Sequence, residues 1–250
     1  MTTDDLGIRG FARGTDRYER ARPSYSNEAM DHLCAGAGIG PGTSVLDLAA
    51  GTGKLTRLLA ERGARVTAVE PSAAMRETFA RVVEGVPVLA GTAESIPLPD
   101  GAVDVVTVAQ AFHWFEPEPA LREIARVLRP DGVLVLLWNE RDQENALVDR
   151  LYEVAEWPFG GLCDYRPALS RSPWFEPAKR TLFRRRESLT HDAIVERIAT
   201  FSYVSTMGDR QRGEMLARVR EFVEEYAEPV ELAHVTDTYL ARRRKVPASG

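Results

Sequence analysis

The chain has 250 residues, 44% of them apolar and 28% charged, which suits one globular domain with a sizeable core and argues against a disordered or membrane-spanning chain. A net charge of −5 argues against nucleic acid as a bulk partner, and two cysteines, Cys34 and Cys163, point away from a disulfide framework or a paired-cysteine metal site, so no metal is expected. No apolar run of 18 residues and no signal-type N-terminus is visible, so the expectation is a cytoplasmic protein without a membrane partner.

Residues 1–22 are polar, and the segment FARGTDRYERARP, from Phe11 to Pro23, mixes aromatic and basic residues without a period. Ser26 is positioned to cap a short helix with Met30, Leu33 and Cys34 on one face, and Gly36 to Gly42 reads as a turn. Val45 to Ala49 is a short apolar run bounded by turn residues, the pattern of a buried parallel strand. Gly51 and Gly53 follow, then Leu55, Leu58 and Leu59 at helical spacing, then Gly63 as a stop. Arg65 to Val69 reads as a second strand ending on the acid Glu70. Strand, glycine turn, helix, strand and acid make a right-handed βαβ unit that holds a nucleoside at the carboxyl edge of its sheet. Glu70 stands 19 residues beyond Gly51, the separation of a carboxylate that hydrogen-bonds ribose hydroxyls.

Three ligands compete for such a unit. A nucleoside triphosphate requires GxxxxGK[ST]; Gly53-Lys54 is present, but Leu48 and Leu55 stand where a glycine and a hydroxyl belong. A dinucleotide requires GxGxxG, and Thr56 occupies the third glycine position. A nucleoside without a pyrophosphate remains.

Beyond Glu70, Pro71-Ser72 starts a helix whose apolar side is Met75, Phe79, Val82 and Val83. Val86 to Ala90 is a third strand, leading into Gly91-Thr92-Ala93-Glu94 and a turn-rich loop from Ser95 to Gly101. Val103 to Ala109 is a fourth strand and ends in the string AQAFHWF, Ala109 to Phe115. Glu116-Pro117 opens a helix with Leu121, Ile124, Ala125 and Leu128 on one face, stopped by Pro130-Asp131-Gly132. Val133 to Trp138, the longest apolar run, is a central strand. Asp142 is read as the cap of a helix carrying Leu147, Leu151, Val154 and Ala155, broken by Trp157 to Gly161. An irregular stretch runs to Pro177, followed by a strand from Lys179 to Leu189. Two helical patterns come next, one on Ile194, Ile198 and Phe201 and the other on Met215, Val219, Phe222 and Tyr226. A last strand spans Val235 to Arg243.

The string Asp47-Leu48-Ala49-Ala50-Gly51-Thr52-Gly53, with Glu70 in place, resembles the first motif of the class I S-adenosylmethionine-dependent methyltransferases. Gly91 to Glu94 resembles the segment bordering adenine in that family, with Thr92 where an Asp is usual, and LRPDGVLVLLWN resembles the wording that precedes and includes its fifth strand. No [DN]PP[YF] string of base-methylating enzymes appears, and Gln110 stands where an aminopropyl transferase would carry an acid. Over residues 44–140 the resemblance is close. The layout, including YERARPSY and the aromatic string after the fourth strand, is similar to the trans-aconitate-methyltransferase-like branch.

The resemblance implies an α/β fold: a Rossmann-like, seven-stranded, mostly parallel sheet with the last strand antiparallel. Residues 1–43 are expected to form an N-terminal lid and helix, 44–140 the cofactor-binding core, and 141–250 a helical cap with the final strands, all in one structural domain. The implied cofactor is S-adenosyl-L-methionine, held by Asp47, Ala49, Gly51, Gly53, Glu70, Pro71, Thr92, Ala93, Glu94, Ala109 and Gln110, with Tyr18 and Arg22 closing over it. Methyl transfer from a sulfonium is an in-line displacement, so the protein chiefly positions its partners and excludes water. An alcohol, phenol or protonated amine also needs a base, and His113, just past the fourth strand, is the catalytic candidate; the competing reading is a structural histidine. Tyr25, Trp114, Trp138, Arg141 and Tyr203 are the substrate-binding candidates: Trp114 and Trp138 as a floor, Tyr203 beneath the cap helices, Arg141 to pair with a carboxylate. The expected function is O-, N- or C-methylation of a small metabolite by a monomer or homodimer. The alternatives are a quinone or tetrapyrrole methyltransferase, or a non-catalytic module that binds the cofactor.

Overall fold

The computed structural model describes residues 24–158 and 165–245. Its first part alternates strand and helix: α1 (Asn27–Ala37), β1 (Ser44–Leu48), α2 (Lys54–Glu61), β2 (Arg65–Val69), α3 (Ala73–Val82), β3 (Val88–Leu89) and β4 (Val103–Ala109). A 3₁₀ turn (Phe112–Trp114), α4 (Pro117–Val127) and β5 (Leu128–Arg141) follow. Then come α5 (Ala146–Val154), α6 (Arg166–Arg171), β6 (Lys179–Leu189), α7 (His191–Ala199), α8 (Ser202–Ser205), α9 (Asp209–Glu224) and β7 (Val230–Arg242).

The strands form a seven-stranded sheet in the order β3-β2-β1-β4-β5-β7-β6. Strands β1 to β5 pair in parallel, with Leu48 opposite both Val69 and Val108, and Ala109 opposite Leu137. Strand β7 runs against β5: Arg243 donates its N–H to Gly132 at one end and Asp142 donates to Ala233 at the other. It also runs against β6, since the Thr238 hydroxyl reaches the Thr181 carbonyl while Ser188 reaches Glu231. β7 is therefore the one strand reversed within the sheet, as expected of the last one.

The described residues divide into two compact units. The larger comprises residues 24–138, 165–182 and 237–245; the other comprises 139–158 and 183–236. In the larger unit, strand alternation sends side chains to two cores. Leu46, Leu48, Val106, Val108, Leu134, Leu136 and Trp138 pack against Leu121 and Ile124 of α4. Val45, Val105, Val133, Val135 and Leu137 pack against Met30 and Leu33 of α1 and Leu55 and Leu59 of α2. Ser26 caps α1 through the Ala29 N–H, and Ser72 caps α3 through the Met75 N–H, each satisfying a donor that a helix end leaves orphaned.

Several boundaries differ from expectation. The Pro130-Asp131-Gly132 stop ends α4 at Val127, but the chain is already in β5 from Leu128, which pairs with Val103 ahead of a register shift. Asn145, not Asp142, caps α5, accepting from the Val148 N–H, while Asp142 receives the Glu144 N–H one turn earlier. The stretch read as irregular contains α6, whose Pro167 lies in the first turn and whose Leu169 is buried.

In the smaller unit, Val148, Leu151, Ile194, Ile198, Phe201, Met215 and Val219 form one core. The apolar faces of α5, α7 and α9 thus cover one another. Burying these faces therefore needs no pocket beneath them.

Candidate cofactor and acceptor site

The loop after β1 is built on three left-handed residues, Ala49 (φ 56°), Gly51 (φ 58°) and Gly53 (φ 85°). Its two glycines do different work. A Cβ on Gly51 would meet nothing within 4 Å, so this turn faces open space. A Cβ on Gly53 would lie 2.4 Å from Val83 Cγ2 and 2.8 Å from the Phe79 ring, so its hydrogen permits the loop to seat against α3.

Glu70 follows β2 and is buried, 6% exposed. Its Oε2 accepts the Gly51 N–H at 2.9 Å and its Oε1 accepts the Ser72 N–H at 2.8 Å. Burial raises its pKa, opposed by those two backbone bonds and the charge of Arg76. An ionised carboxylate offers about four lone-pair sites, so two remain for the paired hydroxyls of a ribose. The arrangement of open glycine turn and anchored acid fits the nucleoside end of S-adenosylmethionine.

Asp47 was expected among the cofactor-binding groups. It is 1% exposed, its Oδ2 accepts the Thr56 hydroxyl at 2.5 Å, and its Oδ1 accepts the Thr107 hydroxyl at 3.0 Å. It braces β1, α2 and β4 behind the loop, and burial pushes its pKa up to about 6.

The other cofactor candidates lie along the same sheet edge. Pro71 is exposed and its carbonyl receives Arg76. After β3, Thr92 and Ser95 bridge through their backbones, Ala93 is buried, and Glu94 Oε1 accepts the Glu116 N–H at 3.1 Å. Glu94 thereby ties this turn to the start of α4, an oxygen less free for adenine than expected. Ala109 ends β4, and Gln110 adopts φ 59° with its N–H on Leu137 O at 2.9 Å. Tyr18 and Arg22 lie outside the described residues.

At the ends of β4 and β5 stands an aromatic group. Trp138 is 3% exposed and stacks on Tyr165, centroids 4.2 Å apart at 7°. Its indole N–H points to His113 Nδ1 at 3.4 Å, and the His113 ring lies 4.7 Å from Trp114. His113 is exposed, yet the apolar groups around its ring push its pKa down to about 4, an effect its contact with water limits. Tyr25, expected to border the substrate, is buried with the α1 and α2 core on the opposite face from Trp138. Arg141 is already engaged, pairing with Asp149 at 3.2 Å and lying over the Tyr152 ring. Tyr203 packs on Trp157, and its hydroxyl proton is committed to the Ala155 carbonyl. Sequence reasoning passed over Tyr165, which reaches Trp138 from a stretch without periodicity; an aromatic amid turn residues was the only signal.

Residues 46–136 match the family described as Methyltransferase domain. An uncharacterized methyltransferase of Mycobacterium tuberculosis is 41% identical over 216 residues, spanning 85% of each chain. The chain belongs to the S-adenosylmethionine-dependent methyltransferase family. Two solved structures share the fold of this methyltransferase. One is the phosphoethanolamine N-methyltransferase 2 of Haemonchus contortus, bound to phosphomonomethylethanolamine and S-adenosylhomocysteine; it is 15% identical at TM-score 0.57 over 98% of this chain and 61% of that one. The other, the [4+2]-cyclase SpnF, is 17% identical at TM-score 0.60 over 98% of both chains. The methyltransferase uses S-adenosylmethionine as its cofactor. Among the described residues no helix is long and apolar enough to cross a membrane, and no group of three or more His, Cys, Asp or Glu side chains forms a metal site.

Proposed function

We propose that this methyltransferase acts on a small-molecule acceptor and belongs with the trans-aconitate-methyltransferase-like branch. The supporting observation is the aromatic group formed by His113, Trp114, Trp138 and Tyr165, set at the ends of β4 and β5 in the same unit as the Gly51–Glu70 loop. Aromatic walls with one or two convergent polar groups suit a compact acceptor with an apolar body. Bound S-adenosylmethionine supplies a methyl group activated as a sulfonium. What remains for the chain is to hold the nucleoside through Glu70, bring the acceptor in line and keep water out.

Methyl-labelled cofactor, incubated with the protein and cell extract, tests this reading. Label should appear in the small-molecule filtrate. Label confined to the protein and nucleic-acid fraction would overturn it.

A further inference from the structure

The role open to His113 is set by its neighbour. An indole N–H only donates, and it points at Nδ1. In a neutral imidazole one nitrogen is bare and the other carries hydrogen, so Nδ1 is the bare one and Nε2 bears the proton. Turning the ring over would set a C–H against the indole N–H, which gains nothing. The apolar surroundings that depress its pKa keep the ring uncharged near neutrality.

Trp138 is itself held from behind. Tyr165 stacks on it, and Tyr239 meets both rings edge-on, at 5.9 Å from Trp138 and 5.8 Å from Tyr165. The Tyr165 backbone N–H bonds to the Tyr239 oxygen, and the Tyr239 hydroxyl donates to Asp237 Oδ2 at 3.0 Å. Asp237 in turn takes a two-pronged contact from Arg180, Nε to Oδ1 at 2.9 Å and Nη2 to Oδ2 at 2.7 Å. Tyr239 is fully buried and Asp237 is 2% exposed, so this chain has little freedom.

We propose that His113 meets the acceptor as a hydrogen-bond donor through Nε2–H, not as a general base, and that Trp138 is the positioning residue that fixes this tautomer. Tyr165 and the Arg180–Asp237–Tyr239 chain keep Trp138 in place. The inference rests on the acceptor lying at the aromatic end of the site. It requires an acceptor that carries an oxygen lone pair for the Nε2–H to address, and it leaves any proton removal to another group.

Two measurements test it. In the full chain labelled with ¹⁵N-histidine at pH 7, two-bond ¹H–¹⁵N correlation reports each ring's tautomer, and His113→Gln identifies the signal by its loss. The signal should be the Nε2–H tautomer alone, and Trp138→Phe should convert it to a mixture. An Nδ1–H tautomer or an imidazolium in the wild-type protein overturns the proposal. The second measurement is label transfer from methyl-labelled cofactor into the small-molecule filtrate. The glutamine amide N–H reaches near the place of Nε2–H, so His113→Gln should turn over about tenfold faster than His113→Phe, the factor for one hydrogen bond. Equal rates would sink the donor role, and unchanged S-adenosylhomocysteine affinity by calorimetry shows that both variants are folded. A filtrate left unlabelled by the wild-type protein would instead defeat the small-molecule reading, and the tautomer signal would still decide the state of His113.

Discussion

Two acids illustrate how burial divides labour among single residues. Asp47 lies near the end of β1 and Glu70 just past the end of the neighbouring parallel β2, two positions apart in register, and both are buried. Glu70 takes its bonds from the Gly51 N–H of the glycine loop and the Ser72 N–H at the head of α3, whereas Asp47 takes its bonds from two threonine hydroxyls behind it. Glu70→Ala should therefore weaken S-adenosylhomocysteine binding by roughly 1.5–3 kcal/mol, the range for hydrogen bonds to a charged group. Calorimetry on the two proteins decides it, and equal affinities would remove Glu70 from the site. Asp47 acts on stability. Its folded pKa of about 6 lies above the unfolded value of about 3.9, so the native state binds the proton more tightly between pH 4 and 6. Asp47 therefore subtracts stability as pH rises through that window, by up to about 3 kcal/mol. Relative to wild type, Asp47→Asn should gain stability from pH 4 to pH 7 in denaturant titrations; parallel curves would show that the carboxyl does not titrate there. The position of Glu70 just past β2 was readable from the sequence. The inward turn of Asp47 was not, because Thr56 and Thr107 come from two other elements and only the packed sheet brings them to it.

At the scale of elements, the glycine loop carries the sharpest contrast. Gly51→Ala meets open space and bears only the left-handed backbone penalty, about 1–2 kcal/mol. Gly53→Ala bears that penalty and also drives a methyl into Val83 and Phe79, so its total loss should reach about 3–5 kcal/mol. Thermal unfolding should rank them in that order. Gly51→Ala should also weaken S-adenosylhomocysteine binding more than its stability loss explains. If Gly53→Ala proves the milder of the two, the assignment of one glycine to ligand and one to packing is wrong. The strands β1, β2 and β4 were legible because continuous apolar runs or clear turn residues bound them. The cap of α5 and the existence of α6 were not. Asp142 and Asn145 are equally good caps locally, and α6 is too short to show a period.

Each unit holds an arginine in a double contact with a carboxylate, Arg180 with Asp237 in the larger and Arg197 with Glu187 in the smaller. In the smaller one, Arg197 is 7% exposed, makes a double contact with Glu187 and donates to His234 Nε2 at 3.1 Å. Burial, reinforced by Arg197, pushes the His234 pKa down to about 4, so the ring stays neutral and can accept. Glu187→Gln leaves Arg197 short of its carboxylate and should destabilise the protein by about 2 kcal/mol, below the range for fully buried pairs because Glu187 is partly exposed. S-adenosylhomocysteine affinity should not move, since the Gly51–Glu70 loop belongs wholly to the other unit. A lost affinity at preserved fold would reveal coupling between them. The reversal of β7 bears on how such a chain can change over generations. Asp142 leaves the parallel strands on β5, Ala233 returns on β7, and the two are hydrogen-bonded to each other. Apart from residues 165–182, the described residues between them belong to the smaller unit, which begins and ends beside that bond. Closing a longer or shorter detour there alters the entropy only logarithmically with its length. Descendants of this sequence can therefore lengthen or shorten the exposed connections of that excursion at little entropic penalty, provided its own apolar core stays packed.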